Sequence, residues 1–464
     1  MVILAHSFYL NRDAKQLERL KPYPPLTTML AAAMLREAGE RVTIFDATFA
    51  DGPDDFARWL SRIEPSVLLL IEDNFNFLTK MCTEDRRVDA LAMITSASAQ
   101  GWRVAVCSPD AVDHPGLYLA AGAIAVLTGE GEFAAEEFTR AAQANADISL
   151  LRGLIIPDGQ GGARRTGARA PARDLDALPF PAWDLIHADS YRKAWRRQHH
   201  YFSWNAVASR GCPYTCNWCA KPTFGRRYSQ RSPASMAEEL RQLKCEIAPD
   251  HVWFADDIFG MSERWIAEFA EEVQRKGAVL PFSIQSRVNL ISQSAAAALS
   301  AAGAQEVWLG VESGSQRVLD AMDKGTHVDT ARVATRNLRD AGIRACWFLQ
   351  IGYPPEEWED ILLTRDLVRE EAPDDIGVSV AYPLPGTVFH DRMAGELGPK
   401  RNWRDTDDLA MLFQGTFDTP FYRLVRDALH RDVDLRRHEE HEWADLAARA
   451  HEHRTAPGQM KRTA

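Results

Sequence analysis

Three of the chain's seven cysteines lie within one short stretch, Ser209-Arg210-Gly211-Cys212-Pro213-Tyr214-Thr215-Cys216-Asn217-Trp218-Cys219, directly after a predicted strand. The spacing C-x3-C-x2-C offers three thiolates on one loop, enough to hold three irons of a [4Fe–4S] cluster and to leave the fourth iron open to a small molecule. A zinc knuckle needs a fourth ligand nearby, and the next candidates are Cys245 and His251. The spacing therefore favours an iron–sulfur cluster, with a zinc site or incidental thiols as the alternatives.

Apolar runs and helix-period segments alternate around this loop, from about residue 203 to residue 390. One of the helices is capped by Ser232, with Pro233 at its first position. Six strand–helix units suit a partial parallel barrel, in which the C-terminal ends of the strands carry the chemistry. The predicted strands are Asn205–Ala208, His251–Ala255, Phe282–Gln285, Glu306–Gly310, Ala345–Ile351 and Ile376–Val380.

The first 150 residues follow the same α/β alternation. Their strands are apolar without strict alternation, which is typical of parallel strands covered on both faces. Five such units predict a doubly wound, Rossmann-like domain with a ligand crevice at the carboxyl ends of the strands. The predicted strands are Val2–Ala5, Arg41–Phe45, Ser66–Ile71, Arg103–Val106 and Ala123–Leu127.

Composition changes between and after these two regions. Residues 151–200 are predicted to be a linker, because Asp158–Arg165 is rich in Gly and Arg and reads as a flexible connector. Helices are expected at Arg423–His430 and His438–His453 in the charged tail. The predicted organisation is a Rossmann-like domain at 1–150, the linker, a partial barrel at 201–390 and a helical C-terminal region at 391–464.

The overall composition is that of an acidic globular protein. There are 54 Lys and Arg against 65 Asp and Glu, a net charge of −11, which argues against nucleic acid as a partner. No apolar run approaches the roughly 18 residues that cross a bilayer, and the first residues lack a signal-peptide pattern. Seven scattered cysteines do not form a disulfide framework. A cytoplasmic protein without a membrane partner is expected.

The cysteine loop and its barrel resemble the radical S-adenosylmethionine (SAM) superfamily. In that family the open iron of the cluster chelates SAM, and reduction of the cluster breaks a carbon–sulfur bond, usually with release of a 5′-deoxyadenosyl radical. The resemblance implies that Cys212, Cys216 and Cys219 bind a [4Fe–4S] cluster. It also implies SAM as cofactor, a small-molecule substrate, and an electron donor such as flavodoxin or ferredoxin.

The ends of the other barrel strands match one branch of this family. The contacts that the resemblance implies are Asp256, Gln285, Arg287, Glu312, Ser313 and Gly352 for SAM, and Trp218 as a shield of the cluster. Asp256 would face the SAM amino group, Arg287 would pair with the carboxylate, and Glu312 would accept from the ribose hydroxyls. The general alternative is that these residues belong to ordinary strand-to-helix turns. For Asp256 the alternative is a helix cap, and for Trp218 it is a core side chain.

The N-terminal region resembles the cobalamin-binding domain that precedes many such barrels, among them class B methyltransferases and the anaerobic magnesium-protoporphyrin ester cyclase. Pro24-Pro25-Leu26, Phe45-Asp46-Ala47 and Thr128–Glu132 carry this resemblance. The chain departs from the pattern at Cys107-Ser108-Pro109, where a glycine pair is usual, and at Glu72–Phe77, where small residues are usual. Cobalamin is a possible cofactor, and an inherited scaffold that covers the barrel mouth is the alternative.

Three functions follow from these resemblances. The leading one is alkyl transfer, a methyl group first, to a small molecule in natural-product biosynthesis. The second is transfer of the 3-amino-3-carboxypropyl group of SAM to an acceptor such as arsenite, as in arsinothricin biosynthesis. It would release methylthioadenosine without cobalamin and would use Cys82, Cys107 or Cys346 as thiol partners. The third is a non-catalytic iron–sulfur scaffold or cobalamin carrier.

Overall fold

The computed structural model describes residues 1–75, 83–221, 223–397, 409–435 and 440–455. These residues form two compact units. Unit 1 contains residues 1–212 and 221–257, and unit 2 contains residues 213–220 and the described residues from 258 onward. The boundary between the units therefore runs through the cysteine loop, and the four-part domain division stays a prediction.

A seven-stranded sheet with the strand order β2-β1-β3-β4-β5-β6-β7 forms the centre of unit 1. The first five strands pair in parallel, so the predicted doubly wound arrangement is confirmed. β1 lies between β2 and β3, where the chain reverses direction across the sheet. The strands are β1 (Val2–Ala5), β2 (Val42–Phe45), β3 (Val67–Ile71), β4 (Arg103–Cys107), β5 (Ala123–Leu127), β6 (Leu154–Pro157) and β7 (Ala163–Arg165).

The helices of unit 1 cover this sheet because their apolar residues pack on strand residues such as Leu68, Leu70 and Val104. The N-cap of α2 is a proline, which has no side-chain oxygen to cap the helix. The carboxylate of Asp73 takes over this role by accepting from the Thr27 backbone N–H at 3.3 Å. The helices are α1 (Ala14–Arg19), α2 (Leu26–Glu37), α3 (Pro53–Leu60), α4 (Thr83–Ala99), α5 (Pro109–Asp113), α6 (Pro115–Ala120), α7 (Glu132–Gln143), α8 (Ala188–His199) and α9 (Pro233–Glu246).

The segment Asp158–Arg165 is part of a hairpin, not the flexible connector that its composition predicts. β6 pairs antiparallel with β5, and β7 pairs antiparallel with β6. The Asp158 carboxylate closes the turn by accepting from the backbone N–H groups of Gln160 and Gly162, both at 2.8 Å. A glycine-rich composition indicates a turn equally well in a linker and in a hairpin, so composition alone did not separate the two.

Unit 1 also contains the first two strands of the predicted barrel. β8 (Ser203–Ala206) pairs in parallel with β11 (His251–Phe254), in a register that places Ala206 beside Phe254. Between them in the chain, β9 (Ser209–Arg210) and β10 (Ser229–Gln230) form a short antiparallel ladder. This ladder holds the chain on both sides of the cysteine loop.

Unit 2 contains the other four barrel strands, paired in parallel in sequence order. They are β12 (Phe282–Ser286), β13 (Ala304–Glu312), β14 (Arg344–Ile351) and β15 (Asp375–Val380). On β13, Val307, Leu309 and Val311 are buried, whereas Trp308 and Gly310 on the opposite face are partly exposed. The buried face therefore packs on helices, and the other face lines the interior of the predicted barrel.

The helices of unit 2 follow the strands and continue into the tail, as expected for a helical C-terminal region. They are α10 (Glu263–Arg275), α11 (Gln293–Ala302), α12 (Gln316–Ala321), α13 (Val328–Asp340), α14 (Trp358–Glu371), α15 (Val388–Met393), α16 (Thr419–Leu435) and α17 (Glu440–Ala450). In the described parts of the chain, none of the helices combines the length and the apolar composition of a bilayer span.

Candidate functional site

Gly211 fixes the start of the cysteine loop in unit 1. Its φ is +77°, and a Cβ at this position would lie 1.9 Å from the carbonyl oxygen of Arg227. The backbone N–H of Cys212 donates to the carbonyl oxygen of Gly225, with a nitrogen–oxygen distance of 3.4 Å. Only glycine permits both the left-handed conformation and this close approach. The first cysteine therefore leaves the β9–β10 ladder at a fixed point.

Asp256 holds the turn between β8 and β9. The carboxylate is buried, and it accepts from the Ala208 backbone N–H at 3.1 Å and from the Ser209 hydroxyl. Burial raises the pKa of Asp256 to about 7. The contacts seen in unit 1 are thus with the turn that leads to the cysteines, and the role of Asp256 toward the SAM amino group stays a prediction.

Arg210, two residues before Cys212, forms a buried ion pair with two glutamates that follow β5. Arg210 Nη1 lies 2.6 Å from Oε1 of Glu130 and 2.6 Å from Oε1 of Glu132. The guanidinium also lies over the rings of Phe133 and Phe224, with Cζ 5.6 and 5.3 Å from the two centroids. Within unit 1, this group connects two motifs that sequence analysis treated separately.

Asn217 anchors the cysteine loop in unit 2. Its amide nitrogen donates to the carbonyl oxygen of Ala321 and to the carboxylate of Asp323, both at 2.8 Å. Its amide oxygen accepts from the Tyr353 hydroxyl at 2.7 Å, and its carbonyl accepts from the Phe389 backbone N–H at 3.0 Å. Sequence analysis missed this residue, because a polar side chain between two cysteines does not reveal partners that lie more than 100 positions away.

Arg287 is surrounded by four partners in unit 2. Its Nη1 donates to Cys216 Sγ at 3.3 Å, its Nη2 donates to the Lys324 carbonyl, and its Nε donates to Asn289 Oδ1 at 3.1 Å. Its Cζ lies 3.7 Å from the centroid of the Tyr214 ring. The guanidinium predicted to bind the SAM carboxylate therefore contacts the second cysteine of the motif.

The contacts of Arg287 continue to the end of β13. Lys324 Nζ is 2.6 Å from Glu312 Oε1, and both side chains are buried. Glu312 has a φ of +67°, a strained conformation for a residue with a side chain. A Cβ at Gly310 would come within 2.8 Å of Lys324 Nζ, so this glycine makes room for the ion pair. One chain of contacts thus joins Cys216, Arg287, Lys324 and Glu312.

The geometry agrees with what comparison with known proteins finds. The family model described as "Radical SAM superfamily" matches residues 207–368, which include the cysteine loop and Glu312. Residues 207–368 thus form a radical SAM domain. A [4Fe–4S] cluster and SAM are therefore its implied cofactors.

Two relatives and one solved structure are similar to this chain. An uncharacterised methyltransferase of Pyrococcus horikoshii is 26% identical over 415 residues, 87% of this chain and 86% of the relative. An anaerobic magnesium-protoporphyrin IX monomethyl ester cyclase of Rubrivivax gelatinosus is 27% identical over 286 residues, 60% of this chain. The chain spans about half, 49%, of that cyclase.

The solved structure is that of the radical SAM methyltransferase TsrM from Kitasatospora setae, with cobalamin and a [4Fe–4S] cluster bound. It aligns with a TM-score of 0.69 at 18% identity and covers 86% of this chain and 76% of TsrM. At this identity the likeness concerns the fold. It confirms the predicted combination of a doubly wound domain, a partial barrel and C-terminal helices.

The cysteines of the radical SAM motif have the chemistry that a cluster requires. Cys212, Cys216 and Cys219 form no disulfide and are of intermediate exposure. Among the described residues, no three Cys, His, Asp or Glu side chains are grouped so as to hold a single metal ion. A [4Fe–4S] cluster instead gives each cysteine an iron of its own. The donor set therefore fits the implied cluster, and the ligand assignment stays a prediction.

The remaining predicted SAM contacts serve local structure as well. The Ser313 hydroxyl is 3.2 Å from that of Thr364 and accepts from the Ser315 backbone N–H. The Gly352 N–H donates to Glu356 Oε1 at 2.6 Å, and a Cβ at Gly352 would lie 3.1 Å from the Tyr422 ring. These contacts fix two of the strand-to-helix turns.

Gln285 and Trp218 keep the positions that the sequence predicts for them. Gln285 lies one residue before the end of β12 and is partly exposed. Trp218 is also partly exposed and packs against the apolar cluster that contains Met322, Tyr353 and Phe389. Trp218 is therefore positioned beside the cysteines as part of the apolar surroundings of the loop, and its role as a shield of the cluster stays a prediction.

Of the residues that depart from the cobalamin-domain pattern, those at 72–75 and 107–109 are buried at the carboxyl ends of β3 and β4. Asn76 and Phe77 lie outside the described residues. Cys107 Sγ would lie 2.3 Å from a Cβ at Gly131, so the thiol packs directly against this glycine. Glu72 accepts from the Ser7 backbone N–H at 3.0 Å, and Asp73 caps α2. The described side chains at these strand ends thus pack against the chain itself, where the cobalamin-domain pattern has glycines and small residues.

The two described thiols among those considered for aminocarboxypropyl transfer are not exposed nucleophiles. Cys107 is buried, and burial raises the pKa of its thiol to about 12. Cys346 lies within β14, is buried, and also has a raised thiol pKa because of burial. Cys82 lies outside the described residues. Neither described thiol favours this second function.

We expect Asn217→Asp to weaken cluster binding. The substitution replaces two donated hydrogen bonds by a carboxylate next to Asp323, which costs about 1–3 kcal/mol in a buried site. Iron content after anaerobic reconstitution and the visible absorption of the cluster measure the effect. Tyr353→Phe is the matched control, because it removes a single hydrogen bond from Asn217. Equal iron content in Asn217→Asp and wild type would show that Asn217 does not anchor the loop.

Proposed function

We propose that this radical SAM enzyme transfers an alkyl group from SAM to a small molecule in natural-product biosynthesis, with a methyl group as the leading candidate. One observation carries the proposal: the similarity to the Pyrococcus horikoshii protein named as a methyltransferase extends over 87% of the chain. This similarity includes the N-terminal domain as well as the radical SAM domain. A shared arrangement over almost the whole length supports a shared class of reaction.

The described residues support the part of the reaction that concerns SAM. Cys212, Cys216 and Cys219 would hold the cluster, with the loop fixed by Gly211 and Asn217. A bound cluster and SAM would supply the reductive cleavage of a carbon–sulfur bond. The protein's contribution is to hold the loop in one position and to pack apolar side chains against it, which keeps water from the reacting atoms.

The strand end at Glu312 supplies polar groups for the same reaction. Lys324 Nζ contacts Glu312 Oε1, and the buried lysine compensates the charge of the buried carboxylate. A carboxylate held in one orientation would suit the hydroxyl groups of a ribose as an acceptor. Glu312 is therefore our leading SAM contact, and Asp256 and Ser313 remain proposed SAM contacts that also fix turns of the structure.

Product analysis tests this function. The reconstituted enzyme is incubated anaerobically with dithionite and SAM, with and without added cobalamin, and the nucleosides are identified by mass spectrometry. We expect 5′-deoxyadenosine or S-adenosylhomocysteine as products. Cobalamin is tested in the same experiment because TsrM was solved with cobalamin bound. SAM with a deuterated methyl group, added to a metabolite extract of the source organism, would reveal the acceptor by its mass shift.

Two variants make the result specific to the cluster. Cys216→Ala removes one of the predicted ligands and should lower product formation at least about 100-fold, as expected for loss of a cofactor that carries the chemistry. Cys245→Ser changes an exposed cysteine on α9 and should leave product formation unchanged. 5′-Methylthioadenosine as the main nucleoside would contradict alkyl transfer and indicate aminocarboxypropyl transfer. An intact, reducible cluster that never cleaves SAM would contradict both.

A further inference from the structure

Three of the five guanidinium N–H groups of Arg287 donate hydrogen bonds within unit 2. The Nε, Nη1 and Nη2 atoms each donate to a different partner: Asn289, Cys216 and the Lys324 carbonyl. A guanidinium that binds a carboxylate bidentately presents two adjacent nitrogens to it. Here the two terminal nitrogens point at a cysteine sulfur and at a backbone oxygen. The two terminal nitrogens are therefore already positioned by the cysteine sulfur and the backbone oxygen.

The position of Arg287 is set by more than its hydrogen bonds. The Tyr214 ring lies under the guanidinium, with a centroid distance of 3.7 Å, and the Tyr214 hydroxyl accepts from Asn289 Nδ2 at 3.2 Å. Arg287 is 6% exposed. A cation held on an aromatic ring and shielded from water keeps its charge at a fixed distance from the Cys216 sulfur.

We propose that Arg287 is a positioning residue of the iron–sulfur centre, which donates a hydrogen bond and positive charge to the sulfur of Cys216 and thereby favours the reduced cluster. The inference rests on the proposed function, because it takes Cys216 as a ligand of the cluster. Reduction adds one electron to the cluster, taken from a reductant such as dithionite, and no bond forms or breaks. Hydrogen bonds and positive charge at a ligating sulfur stabilise the added negative charge and raise the reduction potential.

Arg287→Met tests the inference by a redox titration that is followed by the electron paramagnetic resonance signal of the reduced cluster. We expect the ratio of reduced to oxidised cluster at a fixed potential to fall about tenfold, which corresponds to about 59 mV for one electron. Arg287→Lys should show a smaller shift, because it retains the charge and loses the planar fork. Arg344→Met is the matched control, since Arg344 pairs with Glu306 at the opposite end of β13 and β14.

The outcomes separate this inference from the proposed function and from binding to SAM. Arg287→Met with wild-type iron content and an unchanged potential would overturn the inference. Weaker SAM binding with an unchanged potential would overturn it as well, and would assign Arg287 to the SAM carboxylate. A wild-type protein that assembles no cluster would instead contradict the proposed function. Tyr214→Leu, which removes the ring under the guanidinium, should also lower the reduction potential of the cluster.

Discussion

Gly211→Ala is expected to abolish assembly of the cluster. A methyl group at this position would lie 1.9 Å from the Arg227 carbonyl oxygen, which is a backbone atom and has no rotamer to change. The φ of +77° adds about 1–2 kcal/mol of strain for any residue with a side chain. The β9–β10 ladder has to move, and Cys212 moves with it. Iron content and SAM cleavage after reconstitution measure the effect.

Gly225→Ala provides a control with the same strain and no clash. Gly225 has a φ of +67°, and no atom lies within 4 Å of where its Cβ would be. We expect it to cost only the conformational strain, about 1–2 kcal/mol, and to bind iron like the wild type. If both variants lost iron to the same extent, left-handed strain alone would account for the loss. The close approach of residues 211 and 227 would then not position Cys212.

The sequence was most informative where structure depends on neighbouring residues. The strand that the apolar run predicts at Ser66–Ile71 is found at Val67–Ile71, and it is buried along its whole length. The helix Pro233–Glu246 begins where Ser232 and Pro233 indicate, with the Ser232 hydroxyl accepting from the Ser235 N–H. The cysteine motif was read directly from its spacing, and the Radical SAM family model confirms that reading. Each of these signals lies within a few positions of the chain.

Contacts between distant residues were not predictable in the same way. Arg287 was expected at a strand end, which is confirmed, but its contact with Cys216 joins residues 71 positions apart. Asn217 and Tyr353 are 136 positions apart, and neither has a local pattern that indicates the other. Periodicity shows which face of an element is buried and does not show which side chain it meets. The partners of the strand-end residues therefore required the structure.

The buried group around Arg210 is the second place where we expect a large effect. Arg210→Met would leave the carboxylates of Glu130 and Glu132 buried without their cation. Breaking a buried pair by removing one partner costs about 3–5 kcal/mol. Hydrogen–deuterium exchange of the peptides that cover β5 and α7 localises the effect to the loop between them. We expect strongly increased exchange there and a reduced iron content, because Arg210 lies two residues before Cys212.

An exposed ion pair of unit 1 is the control for Arg210→Met. Arg169 and Glu137 form a bidentate pair, with nitrogen–oxygen distances of 2.7 and 3.0 Å, at the protein surface. Arg169→Met should cost no more than about 1 kcal/mol, because solvent screens the charges. If Arg169→Met and Arg210→Met caused the same increase in exchange, removal of a long side chain would explain both. Burial of the charges would then make no further contribution to the increase in exchange.

The pH dependence of Arg210→Met distinguishes lost charge from lost packing. Burial already raises the pKa of Glu132, and Arg210 lowers it. Without Arg210 the pKa of Glu132 in the folded state rises further, so the protonated form is favoured by folding. A raised pKa in the folded state means that stability is lost as the pH rises through that pKa. The loss of stability caused by Arg210→Met should therefore be larger at pH 8 than at about pH 5.5.

Arg210→Met combined with Glu132→Gln should recover part of the stability, because a buried neutral amide replaces a buried unpaired charge. A deficit that is independent of pH and is not relieved by the second substitution would assign the effect to the packing of the Arg210 side chain between Phe133 and Phe224.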